Sequence, residues 1–345
     1  MDDRKNDLGS SEQTMKAVIC QKYGSPDVLQ LMNIEKPRPK DNEVLIKIHA
    51  ASLNAYDWHL LRASPFFTRF SAGLFKPRNR ILGADIAGVI ESVGKTATQF
   101  KVGDEVFGCL ESCGAGGLAA GGFAEYVCAR ETVLALKPTG ASFEEAAALP
   151  MAAVTALQGL RDRGQIKQGQ RVLINGASGG VGTFAVQIAK SFGAEVTGVC
   201  SKNNLDMVRS IGADHVIDYG KEDFSKTNRQ YDLILDIAAN HSITDYRHAL
   251  SPNGICVVVG FSTMAHMIQV ALSGLHSSKA GGRKIIILAA NNTNRSDLNF
   301  INRLFEASKV KPVIDRRYPL SKAADAFRYV ETKHARGKVV IKITP

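Results

Sequence analysis

Residues 171–182 read Arg-Val-Leu-Ile-Asn-Gly-Ala-Ser-Gly-Gly-Val-Gly: an apolar run that breaks into a glycine-rich elbow and leads into a helical stretch through Ala185 to Phe192. No other feature constrains the fold as strongly. A strand, a bare-backbone turn and a helix in that order begin a βαβ unit built to hold a dinucleotide pyrophosphate. The strict pattern has Gly at its first, third and sixth positions. Here these are Ala177, Gly179 and Gly182, so the first departs by one methyl group. Gly176 and Gly180 keep the elbow permissive. The N–H groups and positive dipole end of the helix would face the phosphates. Gly176, Ala177, Ser178, Gly179, Gly180, Val181 and Gly182 are therefore the expected phosphate cradle.

A site for NAD(H) usually carries Asp or Glu about 20 residues further on, to bind the ribose 2′-hydroxyl. That stretch is Cys200-Ser201-Lys202-Asn203, with no acid. A carboxylate would repel a 2′-phosphate, whereas Ser201 and Lys202 would attract it. The expected cofactor is NADP(H).

The rest of the chain fits around this unit. Apolar strands alternate with helices from Ser142 to about Val310: Glu195–Cys200, His215–Asp218, Leu233–Asp236, Ile255–Val259 and Lys284–Leu288 follow the first. Near-continuous apolar strands separated by helices predict an α/β unit, a doubly wound parallel sheet covered on both faces. Ser142-Phe143-Glu144-Glu145 reads as a capping box opening one Ala-rich helix. Before it, from Met15 to about Ala141, short alternating strands such as Val44–Ile48, Ile86–Val93 and Asp104–Gly108 predict a β-rich domain. Lys311 to Pro345 is too short for its own core, and its final strand is expected to return to that domain. Met1 to Thr14 reads as a disordered tail, and the Gly/Ala run Gly114 to Gly122 as a flexible loop.

With 345 residues, 45% hydrophobic and 22% charged, the composition is that of a globular chain of about two domains. No apolar run approaches the ~20 residues of a membrane span. The net charge of +10 is dispersed, without a Lys/Arg block, so nucleic acid is not the expected partner. Six cysteines in this length predict reduced thiols and a cytoplasmic location, with Cys20, Cys200 and Cys256 in apolar strands. Cys109 and Cys113 lie close together without a second pair, and His49 and His59 have no nearby Cys. No metal site is expected.

These features resemble the medium-chain dehydrogenase/reductase superfamily, and within it the zinc-free quinone oxidoreductase (zeta-crystallin-like) branch. Matching stretches are Ser52-Leu53-Asn54-Ala55-Tyr56-Asp57, Gly83-Ala84-Asp85-Ile86-Ala87-Gly88, Gly121–Val127, Leu149-Pro150-Met151 with Thr155-Ala156, Gly212-Ala213-Asp214 and Arg336–Val340. The resemblance implies a Rossmann sheet spanning 142–310 and a β-rich GroES-like catalytic domain formed by 15–141 and 311–345. Zinc-dependent relatives carry Gly-His-Glu where this chain has Gly83-Ala84-Asp85, and Ala84 cannot bind metal. It further implies that Asn54 lies near the nicotinamide ribose and the substrate, and Thr155 near the nicotinamide. Ser201, Lys202 and Tyr219 would surround the adenosine 2′-phosphate. Val259 and Gly260 would offer backbone groups to the nicotinamide, and Lys338 would also touch the cofactor.

The expected reaction is hydride transfer from NADPH to a quinone or a carbonyl-conjugated double bond. Asn54 or Tyr56 would stabilise the developing oxyanion. Two alternatives differ in class: a zinc alcohol dehydrogenase, and a non-catalytic protein that binds NADPH or nucleic acid. The loop Ala63 to Arg80, with Phe66, Phe67, Phe70, Leu74 and Phe75, would line an apolar pocket or pack as a helical hairpin. Met264–Leu275 is apolar on one side, as lid or membrane-surface helices are, and is better suited to core packing or a dimer contact. A homodimer is expected through an edge strand, Lys284–Leu288.

Overall fold

The structure is a computed structural model that describes residues 14–64, 66, 68–110, 121–259, 282–288 and 293–343. The predicted tail before Thr14, the core of the Gly/Ala run, Cys113, Phe67, Gly260 and Met264–Leu275 lie outside the described residues.

The chain begins with a two-stranded antiparallel ribbon, β1 (Thr14–Cys20) and β2 (Leu29–Glu35). The long strand β3 (Glu43–Leu53) comes next and is buried along most of its length. Helices α1 (Ala55–Arg62) and α2 (Thr68–Ala72) follow, and then β4 (Asp85–Val93), β5 (Glu105–Cys109), β6 (Tyr126–Arg130) and β7 (Leu134–Leu136). β3 is the hub of this half. It pairs with β4 and β6, and it bulges at Leu45/Ile46 and Ile48/Ala50. Such bulges add local twist and curl a sheet.

Ser142 does cap the next helix: its Oγ accepts from the Glu145 N–H at 3.2 Å, and a Glu145 carboxylate oxygen accepts from the Ser142 N–H at 2.9 Å. The Ala-rich helix it opens is α3 (Phe143–Ala148), and a second helix, α4 (Pro150–Leu157), follows directly. Pro150 has no N–H to continue the first ladder, but it suits the first turn of a new helix.

The second sheet is six-stranded and wholly parallel. Its strands are β8 (Arg171–Asn175), β9 (Glu195–Cys200), β10 (His215–Asp218), β11 (Tyr231–Asp236), β12 (Leu250–Val259) and β13 (Lys284–Leu288). Their spatial order is β10-β9-β8-β11-β12-β13, with β13 at one end. Val172-Leu173-Ile174 and Leu233-Ile234-Leu235 are fully buried because helices cover both faces. Among these helices are α5 (Gly180–Ser191), α6 (Leu205–Ser210) and α7 (Ile243–Ala249). The strand order reverses between β8 and β11, whose last residues Asn175 and Asp236 are register partners. In open α/β sheets this reversal marks the ligand crevice.

The chain then returns to the first sheet. β14 (Ile314–Pro319) pairs with β15 (Lys338–Lys342), and β15 runs antiparallel to β3. Val339 and Ile341 complete the core of that half, beside Ile46, Ile48 and Phe327. Among the described residues, no helix is long and apolar enough to cross a membrane.

Candidate active site

The two sheets meet at the glycine elbow. Gly337, just before β15, forms a parallel bridge with Gly179, and its N–H donates to the Ser178 carbonyl at 2.9 Å. Gly337 has φ +83°, and a Cβ there would lie 2.2 Å from the Val313 carbonyl oxygen, so no other residue fits. A second tie joins the N–H of Met151 on α4 to the Asp85 carboxylate at 3.1 Å.

Each glycine of the elbow meets a different demand. Gly176 turns the chain at φ +86°. Gly182 lets α5 lie against the strand, since a Cβ there would stand 2.1 Å from the Gly176 oxygen. Gly179 and Gly180 are different: a Cβ would meet nothing closer than 3.5 Å and 3.4 Å respectively. Their bareness therefore serves open space beside the helix end rather than packing. α5 has no side-chain cap at its N-terminus. An uncapped twelve-residue helix behind a bare elbow is a cradle into which a diphosphate fits. The departure at Ala177 is accommodated too. Its methyl is fully buried and faces Gly198 on β9, where an added Cβ would stand 3.1 Å away.

At the end of β9, Ser201 and Lys202 sit beside the cradle. Asn204, which the sequence did not single out, links the two: its Nδ2 donates to Ser178 Oγ and to Ser201 Oγ, each at 3.1 Å. Lys202 is exposed. The Tyr219 N–H donates to the Cys200 carbonyl at 3.2 Å, which brings this exposed aromatic to the same strand end. A hydroxyl, an ammonium and an exposed ring thus gather at the end of β9, beside the cradle.

On the other side of the elbow lies a buried polar cluster. Lys338 is 2% exposed, yet its ammonium group reaches Asn54 Oδ1 at 2.5 Å and Asp85 Oδ2 at 3.5 Å. Asn54 Nδ2 donates to the same Asp85 oxygen at 2.9 Å, and Ser52 Oγ donates to it at 3.2 Å. The Asn54 amide is thereby fixed in one orientation, oxygen toward Lys338 and nitrogen toward Asp85. Burial pushes the Asp85 carboxyl up and the Lys338 ammonium down, while each opposes the shift of the other.

Asp57, on α1, is also fully buried. One oxygen accepts from the N–H groups of Gly83 and Ala84, at 2.9 and 3.2 Å, and the other accepts from the Asn54 N–H at 2.9 Å. Burial raises its carboxyl to about 7, against the pull of these donors. Asp57 therefore clamps the Asn54 turn to the Gly83-Ala84 turn. Sequence reading passed over both carboxylates as site residues, although each lies inside a motif it quoted.

The remaining expected residues lie around this cluster. Thr155 is buried on α4, its hydroxyl donating to the Met151 carbonyl at 2.7 Å. Tyr56 is half-buried against the core of the first half. Val259 is half-buried at the end of β12. A zinc site requires Cys, His or carboxylate donors with free lone pairs. Here the turns offer Asn54 and Ala84, and both carboxylates already serve N–H, O–H and ammonium donors. Among the described residues, no group of three His, Cys, Asp or Glu converges as a metal site. Among the described residues, the donors at these two turns do not fit a zinc ion.

A βαβ sheet with a bare phosphate cradle, joined at that cradle to a β-rich half carrying a buried polar cluster, defines a two-domain nucleotide-dependent dehydrogenase or reductase. Comparison with known proteins agrees. Residues 40–139 match the family model for the alcohol dehydrogenase GroES-like domain, and residues 211–341 match that for zinc-binding dehydrogenases. The chain is 36% identical to the NADPH-dependent alkenal/one oxidoreductase of Arabidopsis thaliana chloroplasts, covering 97% of this chain and 81% of that protein. It is 37% identical to the 2-methylene-furan-3-one reductase of Solanum lycopersicum, over 96% of this chain and 80% of that protein. The solved quinone oxidoreductase of Coxiella burnetii superposes with a TM-score of 0.82 at 33% identity, covering 96% of this chain and all of the other. The chain belongs to the medium-chain dehydrogenase/reductase superfamily, among its quinone and alkenal/one oxidoreductases.

Proposed function

We propose that the protein is an NADPH-dependent reductase of quinones or carbonyl-conjugated double bonds, working without a metal ion. The observation that carries this reading is the contact of Gly337-Lys338 with the elbow. The strand that walls the phosphate cradle also delivers the buried ammonium to Asn54. Cofactor grip and reaction site are thus one piece of structure.

When bound, NADPH would supply a hydride to an electron-poor carbon whose conjugated carbonyl needs no Lewis acid. Gly179, Gly180 and the first N–H groups of α5 would hold the diphosphate. Ser201, Lys202 and Tyr219 would take the 2′-phosphate; the absence of a carboxylate among them supports NADPH over NADH. Thr155 and Val259 would flank the nicotinamide. Lys338 has three donors, and Asn54 and Asp85 accept two. The third, with Asn54 and Tyr56 nearby in the chain fold, would face ribose and acceptor oxygens. Asp57 and Asp85 are closed off by their donors, so the proton that completes reduction would come from water.

Purified protein supplied with a panel of quinones, enones and alkenals, followed by NADPH absorbance with NADH as control, tests the reading. Turnover of at least one acceptor class with NADPH preferred is expected. Inactivity on all three classes would refute it.

A further inference from the structure

The chain between Trp58 and Ala84 contains Arg62, Arg69, Lys76, Arg78 and Arg80 but no Asp or Glu. Leu60, Leu61 and Leu82 are buried, but four large apolar side chains between them are not folded away. Phe66 is 63% exposed, Phe70 70%, Leu74 46% and Phe75 88%. Among the described residues these are the only exposed phenylalanines, and they fall within ten positions. Scattered single apolar side chains need no explanation, but a cluster ringed by polar groups marks an interaction surface.

The scaffold beneath the cluster is anchored. Tyr23 Oη donates to the Gly73 carbonyl at 2.7 Å, and the Cys20 N–H donates to the Arg80 carbonyl at 2.7 Å. The Arg69 guanidinium lies 5.1 Å from the Tyr23 ring centre and 5.2 Å from that of Phe66. Phe66 and Phe70 meet edge to face with centres 6.3 Å apart. The rings are therefore presented by a tethered segment, with Lys76, Arg78 and Arg80 exposed beside them.

A partner that satisfies this surface must offer hydrocarbon and negative charge together. A bilayer containing anionic lipid does so: aromatic rings insert at the headgroup boundary while nearby Lys and Arg pair with the surface charge. We propose that Phe66, Phe70, Leu74 and Phe75, with Lys76, Arg78 and Arg80 beside them, form a peripheral docking site for an anionic membrane surface. The segment starts from α1 beside Asn54 and ends at Gly83, so docking would bring the site's own turns toward the lipid. The proposal does not depend on which acceptor the protein reduces.

Vesicle flotation tests it, with phosphatidylcholine alone and with phosphatidylcholine containing phosphatidylserine. The full chain is expected to float with the anionic vesicles and to remain behind with the neutral ones. Lys76→Gln with Arg78→Gln is expected to lower partitioning ~30-fold. Phe70→Ser with Phe75→Ser is expected to lower it at least about tenfold. Circular dichroism and thermal melting of both variants should match the parent, since all four side chains are exposed. Failure of the parent to float with anionic vesicles would overturn the proposal, as would equal floating by both variants. So would sedimentation in which the Phe variant dissociates an oligomer while vesicle binding is unchanged, since the patch would then belong to a second copy of this chain.

Discussion

Lys338 Nζ lies 2.5 Å from Asn54 Oδ1, although 284 residues separate them. One is the first residue of the last strand, and the other the first residue after the hub strand β3. Antiparallel pairing of Val339 with Leu53 sets them side by side. The same ammonium is the only buried cation next to Asp85 among the described residues.

Removing that cation should be costly. Lys338→Met leaves Asp85 buried without its counter-ion and frees the Asn54 amide to turn. Loss of one partner from a buried pair typically costs ~3–5 kcal/mol. Urea unfolding should show this loss, and adding Asp85→Asn to the same chain should restore part of it.

The elbow glycines should separate into two kinds. Gly182→Ala places a methyl 2.1 Å from the Gly176 oxygen and should destabilise the fold by about 2 kcal/mol or more. Gly179→Ala meets only ordinary contacts and has a φ of −82°, so its melting temperature should match the parent. NADPH titration should nonetheless find its affinity at least about tenfold weaker, because the methyl occupies phosphate space. Equal affinity would place the cofactor elsewhere.

Cofactor choice should follow charge at the end of β9. Lys202→Glu puts a carboxylate where a 2′-phosphate would lie. The ratio of kcat/KM for NADPH over NADH should fall by at least about tenfold, equivalent to ~1.4 kcal/mol. An unchanged ratio would mean that Lys202 is only a solvated surface residue.

Asp57 should write a pH signature into stability. Its carboxyl is raised from 3.8 to about 7 by burial, so the native state keeps a proton that the unfolded chain releases. Its contribution is full below about pH 4 and is lost as pH rises toward 7. Over that window the parent should lose up to ~4 kcal/mol relative to Asp57→Asn. Denaturant midpoints of the two chains across pH check both the sign and the window.

What the sequence made legible was local. The elbow, its flanking strand and helix, and the Ser142 capping box are each written within a dozen residues, where backbone chemistry leaves few choices. The parallel sheet was legible because strands covered on both faces must be apolar throughout. The Asn54–Lys338–Asp85 cluster was not, because its members meet only through strand pairing across the whole chain. Asn204 was missed because an Asn after a strand reads equally well as a turn. For Phe66, Phe70 and Phe75, hydrophobicity suggested a pocket or a packed hairpin, while the fold leaves them on the surface.

Hydride transfer by metal-stripped protein tests the central claim most directly. The protein would be dialysed exhaustively against a chelator. It would then be given an enone and NADPH deuterated at the carbon that donates hydride, and the product read by mass spectrometry. One deuterium per reduced double bond, at a rate unaffected by chelation, is the predicted result. Deuterium transfer that disappears on chelation and returns with zinc would contradict it.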